Sequence, residues 1–396
     1  MAAASSSPRA ACRSAVRQTD RVDTPDVITP AGLAARPLLF ASGPDAYVAE
    51  RVIRTWSTPD GSSRAWGDQV VAALGPGERA LGALSFAPGA PGILHQVVGA
   101  ERALRGPAAP PVDREWRVRE FPTSAEYAEM VRTALTQIAQ GHLHKVVLGR
   151  CLDVVSDPAL DPAELLDRLL ETRPGRYVFS VPLTAGDASG PLLVGASPEL
   201  LVRRTGEQIQ CTPLAGSVPR SDDLDEDRQR SERLLESAKD LAEHAYVVDA
   251  IVTALKEVCV EVEAPARPQV IATDTVWHLA SPISARLAAG TAGPTALALA
   301  QMLHPTPAVG GVPVEAAQAT IAALEGDLRD YFAGCVGWVD ADGDGEFAVT
   351  IRAAVLDQEH LRLFAGAGIV AGSDPESEVR ETGAKLATMA RVTGLP

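Results

Sequence analysis

The order of strand-like and helix-like segments constrains this chain most. Alternating, β-branched runs come in groups: His144–Val155, Tyr177–Leu183, Leu192–Gly195, Leu200–Arg204 and Gln208–Thr212, then Cys335–Val339, Phe347–Leu356 and His360–Phe364. Single helical patterns separate the groups. One opens at the capping box Thr123-Ser-Ala-Glu126, places Tyr127, Met130, Val131, Leu135 and Ile138 on one face, and closes at Gly141. A second helix is expected from about Asp225 to Val258, and a last one from about Glu376 to Val392. A parallel sheet would need a crossover after each strand, and that regularity is missing. The pattern predicts an α+β fold with large antiparallel sheets.

The 396 residues are 46% hydrophobic and 22% charged, enough apolar material for a substantial core. We read residues 25–396 as a single domain and 1–24 as a disordered tail, with a break or surface loop at Gly106–Pro111. Residues 1–19 contain no acid and are rich in Ala, Ser and Arg. A transit peptide shares that composition, but a disordered tail accounts for it more simply. A net charge of −15 excludes nucleic acid or an anionic membrane as the main partner, though a small anion could still bind a local basic cluster. No apolar run is long enough to span a membrane. The five cysteines, at 12, 151, 211, 259 and 335, form no CxxC pair, which suits a reducing cytoplasm and argues against disulfides and zinc. Only four lysines occur (Lys145, Lys239, Lys256, Lys385), so each is a candidate for a specific role.

Two motifs imitate chemistry that their context denies. Asp340-Ala-Asp-Gly-Asp-Gly345 resembles half an EF-hand loop, but Ile351 stands where the bidentate Glu is required; a Gly-rich hairpin turn is expected. Gly366-Ala-Gly368 lacks the third glycine of a dinucleotide fingerprint, since the next is Gly372.

A more coherent constellation spans two helices. Glu378, Glu381 and Lys385 share one face of the last helix, and Asp240 and Glu243 share one face of the long helix. Taken alone, each reads as a solvated face; together they could hold a hard dication that keeps waters and takes substrate oxygens. Gly366-Ala-Gly-Ile leads from a strand toward the last helix and could offer backbone amides to an anion. Arg352 on the preceding strand suits a carboxylate. Pro213-Leu-Ala-Gly216-Ser217 reads as a second small-residue turn with donors.

Ten segments, in order, carry a resemblance: HKVVLGR (144–150), GASPELLVR (195–203), TPLAGS (212–217), AKDLAEH (238–244), WHLAS (277–281), LHPTPAVGG (303–311), YFAGCVGW (331–338), TIRAA (350–354), AGAGI (365–369) and ESEVRETGAKL (376–386). From about residue 115 onward the chain resembles the chorismate-utilising enzymes, which comprise isochorismate, salicylate, anthranilate and aminodeoxychorismate synthases. It is most similar to siderophore-type isochorismate synthases. The resemblance implies two antiparallel sheets packed face to face, helices outside, and a cleft that binds chorismate with Mg²⁺.

It further implies that Lys145 is the general base activating water at ring C2 and Glu199 the acid protonating the departing C4 hydroxyl. Glu243 and Glu381 would be metal ligands, with Glu378 and Asp240 in support. Arg352, Lys385, Ser217 and the backbone at Gly216 and Gly366 would hold substrate carboxylate, with His278 near the ring. Ala308 and Phe332 stand where salicylate synthases carry Thr and Tyr. The implied protein is a monomer needing no glutamine amidotransferase subunit, because Lys145 points to water rather than ammonia. Its product would feed a siderophore or related pathway through 2,3-dihydroxybenzoate or salicylate. The alternatives are a salicylate synthase, a menaquinone-pathway isochorismate synthase, and a non-catalytic homologue serving as a binding subunit.

Overall fold

The computed structural model describes residues 27–28, 37–43, 45–104, 112–172, 177–186, 190–273, 275–290 and 293–395. The expected tail at 1–24 and the expected break at 106–111 lie outside these residues. Among the described residues eighteen strands form one hydrogen-bonded ribbon, and three more form a small separate sheet. Every pairing among them is antiparallel except the short contact of Val27–Ile28 with Gly92–Leu104.

The ribbon folds back on itself into two layers. One layer runs Glu261–Glu263, Ile283–Arg286, Gln208–Thr212, Leu200–Thr205, Gly345–Val349, Cys335–Asp340, Arg79–Leu84 and Gly92–Leu104. Through Asp45–Thr58 it continues into the other: Leu39–Ala41, Tyr177–Pro182, Leu192–Ser197, Ala353–Asp357, His360–Val370, Lys145–Asp157 and Glu115–Phe121. Leu81, Val336 and Ala348 of the first layer share a buried cluster with Phe179, Val181 and Leu193 of the second. The two inner faces therefore pack on each other, as expected, although hydrogen bonds join them into a single sheet.

Helices cover the outer faces. Ser124–Ala139 and Pro375–Thr393 lie against His360–Val370, and Pro162–Thr172 lies beside the latter helix. The capping box forms as predicted, with the Thr123 hydroxyl and Glu126 carboxylate each capping the other's backbone. Tyr127 is fully buried and donates to the Leu148 carbonyl at 2.9 Å. Each apolar side chain buried this way contributes about 1.5–3 kcal/mol. The hairpin at Asp340–Gly345 also forms, its turn held by Asp342 and Asp344 amides donating to Asp340 Oδ1.

Four local expectations need correction. The long helix is two, Leu224–Glu236 and Ala238–Lys256, because Ser237 leaves the helical backbone and its hydroxyl caps Asp240. The single strand over 347–356 is also two, Gly345–Val349 and Ala353–Asp357, with Arg352 between them at φ 51°. Gly366–Gly368 lies inside strand His360–Val370 rather than leading out of it. Residues 214–219 form a strand of the small sheet, not a turn, with a bulge between Leu214 and Ser217 that Gly216 enables at φ 78°.

Candidate active site

A cavity of about 610 Å³ opens between the inner face of strand His360–Val370, the strand Leu214–Pro219 and the helices Ala238–Lys256 and Pro375–Thr393. Its walls include Glu199, Gly216, Ser217, Asp240, Glu243, His278, Ala308, Phe332, Arg352, Gly366, Glu378, Glu381 and Lys385. These come from nine separate stretches of sequence. Lys145 alone of the expected residues is not on the wall; it is fully buried behind Glu243.

Register explains how a strand can face a crowded pocket. Lys145 pairs with Val370, Val147 with Gly368 and Gly149 with Gly366, and paired residues point to the same face. Lys145 Nζ stands 3.0 Å from Glu243 Oε1, close but not aligned as a hydrogen bond. A Cβ at Gly368 would lie 2.2 Å from that same oxygen and 3.4 Å from Lys145 Cε. Glycine at 368 is thus what lets the carboxylate enter the space beside the lysine.

Glu199 follows strand Leu192–Ser197, and its backbone amide donates to Ser197 Oγ. Only 3% of it is exposed. Burial pushes its carboxyl up to about 8, against the opposing pull of the Leu214 amide, Lys145 and Lys385. The Leu214 N–H donates to Glu199 Oε1 at 3.3 Å. The group is accordingly a protonated acid at neutral pH.

The remaining carboxylates are tied to lysines or hydroxyls. Lys385 donates to Glu381 Oε1 at 2.7 Å and to the Gly366 carbonyl at 2.9 Å, while Ser217 donates to Glu381 Oε1 at 3.1 Å. Burial pushes Glu381 upward, but Lys385 and Ser217 outweigh it and hold the carboxyl below its usual range. Lys239 donates to Glu378 Oε1 at 3.1 Å, and the Ser237 hydroxyl donates to Asp240 Oδ2. Burial first, and neighbouring carboxylates after it, raise both Asp240 and Glu378. Three of the four lysines therefore serve as counter-ions to these acids.

On the opposite wall Arg352 Nη2 lies 3.3 Å from His278 Nε2, both side chains buried. The left-handed backbone at Arg352 turns this residue out of the strand direction. Phe332 stacks on Phe364 with centroids 5.1 Å apart. His244 is a structural neighbour instead. Its ring lies between the Ala215 carbonyl and the Ser281 hydroxyl, and burial pushes its pKa down.

Among the described residues no three acidic, histidine or cysteine side chains converge as a preformed metal cluster. The donor set nonetheless suits a hard cation. Buried carboxylates from two helices raise one another's affinity for positive charge and leave room for water and a ligand's oxygens.

Several wall residues escaped the sequence reading. The Leu214 amide carries no side-chain signal, and Gly368 is separable from Gly366 only through the Glu243 contact. Arg230, Arg233 and Arg380 also line the cavity. Lys239 was detectable in principle, as one of four lysines and adjacent to Asp240.

A cavity with a buried protonated carboxyl, a buried lysine, an arginine and a carboxylate cluster defines an enzyme for small, anionic substrates. The chorismate binding enzyme profile matches residues 94–394, and the chain belongs to that family. It is 45% identical over 282 residues to isochorismate synthase DhbC of Bacillus subtilis (strain 168), covering 71% of this chain and 70% of that protein. Isochorismate synthase EntC of Escherichia coli (strain K12) is 42% identical over 327 residues, 80% of this chain and 81% of that one. A crystal structure of DhbC from Bacillus anthracis superposes with TM-score 0.86 at 38% identity, covering 93% of this chain and 98% of that one.

Proposed function

We propose that this chain is an isochorismate synthase: it adds water at C2 of chorismate while the C4 hydroxyl departs and the ring double bonds shift. The observation that carries the reading is Glu199, a carboxyl held protonated to about pH 8 at the wall of a cavity that has Lys145 behind it. Hydroxide is a poor leaving group, and an acid kept neutral by burial can deliver the proton that makes it leave as water.

Lys145 is the base. Its amine takes a proton from water as oxygen bonds to C2. Water consumed at C2 balances water released at C4. Arg352 and Lys385 hold the substrate's carboxylates, aided by Ser217 and the backbone at Gly216 and Gly366. His278 keeps Arg352 oriented beside the ring. Glu243 and Glu381, supported by Glu378 and Asp240, would hold magnesium, which supplies positive charge against the ring carboxylate. Water as the nucleophile requires no amidotransferase subunit, and the protein acts as a single chain, without nucleic acid or membrane. No helix among the described residues is long and apolar enough to cross a membrane. Its place is a cytoplasmic step supplying an aromatic siderophore precursor.

Incubation with chorismate and Mg²⁺, followed by chromatography, tests the reading. Isochorismate is the expected product. Stoichiometric salicylate and pyruvate would replace the reading with a salicylate synthase, and no conversion would leave a binding homologue.

A further inference from the structure

Strand Lys145–Asp157 is paired along one edge by His360–Val370 from residue 145 to 155. Its other edge is served in two pieces. Gly311–Val312 covers Val146 and Lys145, and Glu115–Phe121 covers 151–157. Across the intervening gap the Val147 amide donates to the Gly310 carbonyl at 2.7 Å, and a pair of side chains meets the Val147 carbonyl and the Gly149 amide. The Gly149 amide donates to Glu325 Oε1 at 2.7 Å, and Arg329 Nη2 donates to the Val147 carbonyl at 2.5 Å. Arg329 also grips Glu325 through Nε at 2.7 Å and donates from Nη1 to the Val309 carbonyl at 2.7 Å. The side chains of Glu325 and Arg329 are 0% and 5% exposed.

A buried ion pair is costly unless its remaining donors and acceptors are used, and here they are used on backbone. The backbone groups concerned belong to the walls of the site. Val147 is two residues from Lys145, Val309 follows Ala308, and Arg329 precedes the turn that carries Phe332. Neither Glu325 nor Arg329 lines the cavity.

We propose that Glu325 and Arg329 are positioning residues for the reaction, a carboxylate–guanidinium pair that stands in for a missing length of strand and sets the Lys145 strand against the Ala308 and Phe332 walls. This rests on Lys145 being the base. Arg352 and Lys385 come from other elements, so loosening the pair misplaces the base more than it weakens substrate binding. Gly149 is part of the same device. A Cβ there would meet Phe332 Cε1 at 3.2 Å and Glu325 Oε2 at 3.4 Å, so a side chain would wedge the strand away from both.

Two variants test the proposal. Glu325→Gln/Arg329→Met removes both charges, leaving neither buried alone. Arg329→Lys keeps the charge but loses the planar fork. Each is assayed with chorismate and Mg²⁺ alongside wild type, and backbone hydrogen exchange is followed over 145–151. In the folded variants kcat should fall roughly 10–100-fold while KM moves by less than about threefold, with exchange accelerating at 147–150. Wild-type kcat in either folded variant, or unfolding of both at 25 °C, overturns the positioning role. An inactive wild type, or a fully active Lys145→Ala, instead removes the functional reading on which the proposal stands.

Discussion

Lys145 and Glu243 come from a strand and a helix, and their charged ends stand 3.0 Å apart at the floor of the cavity only because residue 368 has no side chain. The resulting pair joins the residue read as base to a residue read as metal ligand. Gly368→Ala should therefore displace Glu243 and lower turnover by at least roughly 100-fold, at an overpacking cost of about 1–3 kcal/mol. Kinetics and a thermal melt check this together. Activity near wild type would show that Glu243 tolerates displacement and does not act where it stands.

Lys145→Ala and Glu199→Gln should each lower kcat by roughly 10²–10⁴, as expected for loss of a general base or acid. KM for chorismate should change much less, since carboxylate binding lies with other residues. A variant that turns over normally has no place in the proton transfers.

The elevated carboxyl of Glu199 makes two pH effects. Catalysis needs its protonated form, so kcat/KM should decline as pH rises through about 8. For stability, the folded state binds this proton more tightly than the unfolded state does, whose value is near 4.5. The contribution of Glu199 to stability is thus greatest below about 4.5 and is lost as pH rises toward 8. Glu199→Gln, which has no proton to lose, should become progressively more stable relative to wild type between pH 5 and pH 8, read as a growing difference in Tm. A constant difference would place Glu199 in a wetter environment than its burial indicates.

Chelation should separate function from fold. EDTA should abolish turnover and Mg²⁺ restore it, while far-UV circular dichroism stays unchanged, because the carboxylates sit on helices with lysine counter-ions already in place. Glu243→Ala and Glu381→Ala should be inactive at any practical Mg²⁺ concentration, and Ca²⁺ should support turnover poorly. Full activity in EDTA would exclude the two-helix metal site.

Ala308 and Phe332 bear on where the reaction stops. Both line the cavity, and Phe332 is held by its stack on Phe364. Neither offers a hydroxyl to hold isochorismate in a pose suited to losing pyruvate. The wild type should release little pyruvate in a lactate dehydrogenase-coupled assay, and Ala308→Thr/Phe332→Tyr should release measurable amounts. If that variant stays folded and yields no more pyruvate than wild type, these positions do not set the outcome.

What the sequence determined by itself was local pattern and order. Alternation in His144–Val155 identified a strand, the Thr123–Glu126 box a helix start, and ten ordered segments the family and most cavity-lining residues. Its mistakes were at Ser237, Arg352, Leu214–Pro219 and Gly366–Gly368. At Ser237 and Arg352 a single residue interrupts a continuous apolar pattern, because one backbone angle costs little locally and periodicity cannot register it. At 366–368, small residues read as a turn because their lack of side chains signals conformational freedom, whereas here it makes room inside a strand. Tertiary structure alone decided which oppositely charged residues meet. It set Glu243 against Lys145, gave Glu378 to Lys239, and drew Arg329 across to the Val147 carbonyl. It also decided that Glu199 holds its proton, since that depends on how completely the fold removes water from the carboxyl. Such contacts join residues far apart in the chain, and their strength depends on burial and distance, neither of which exists before the two layers close.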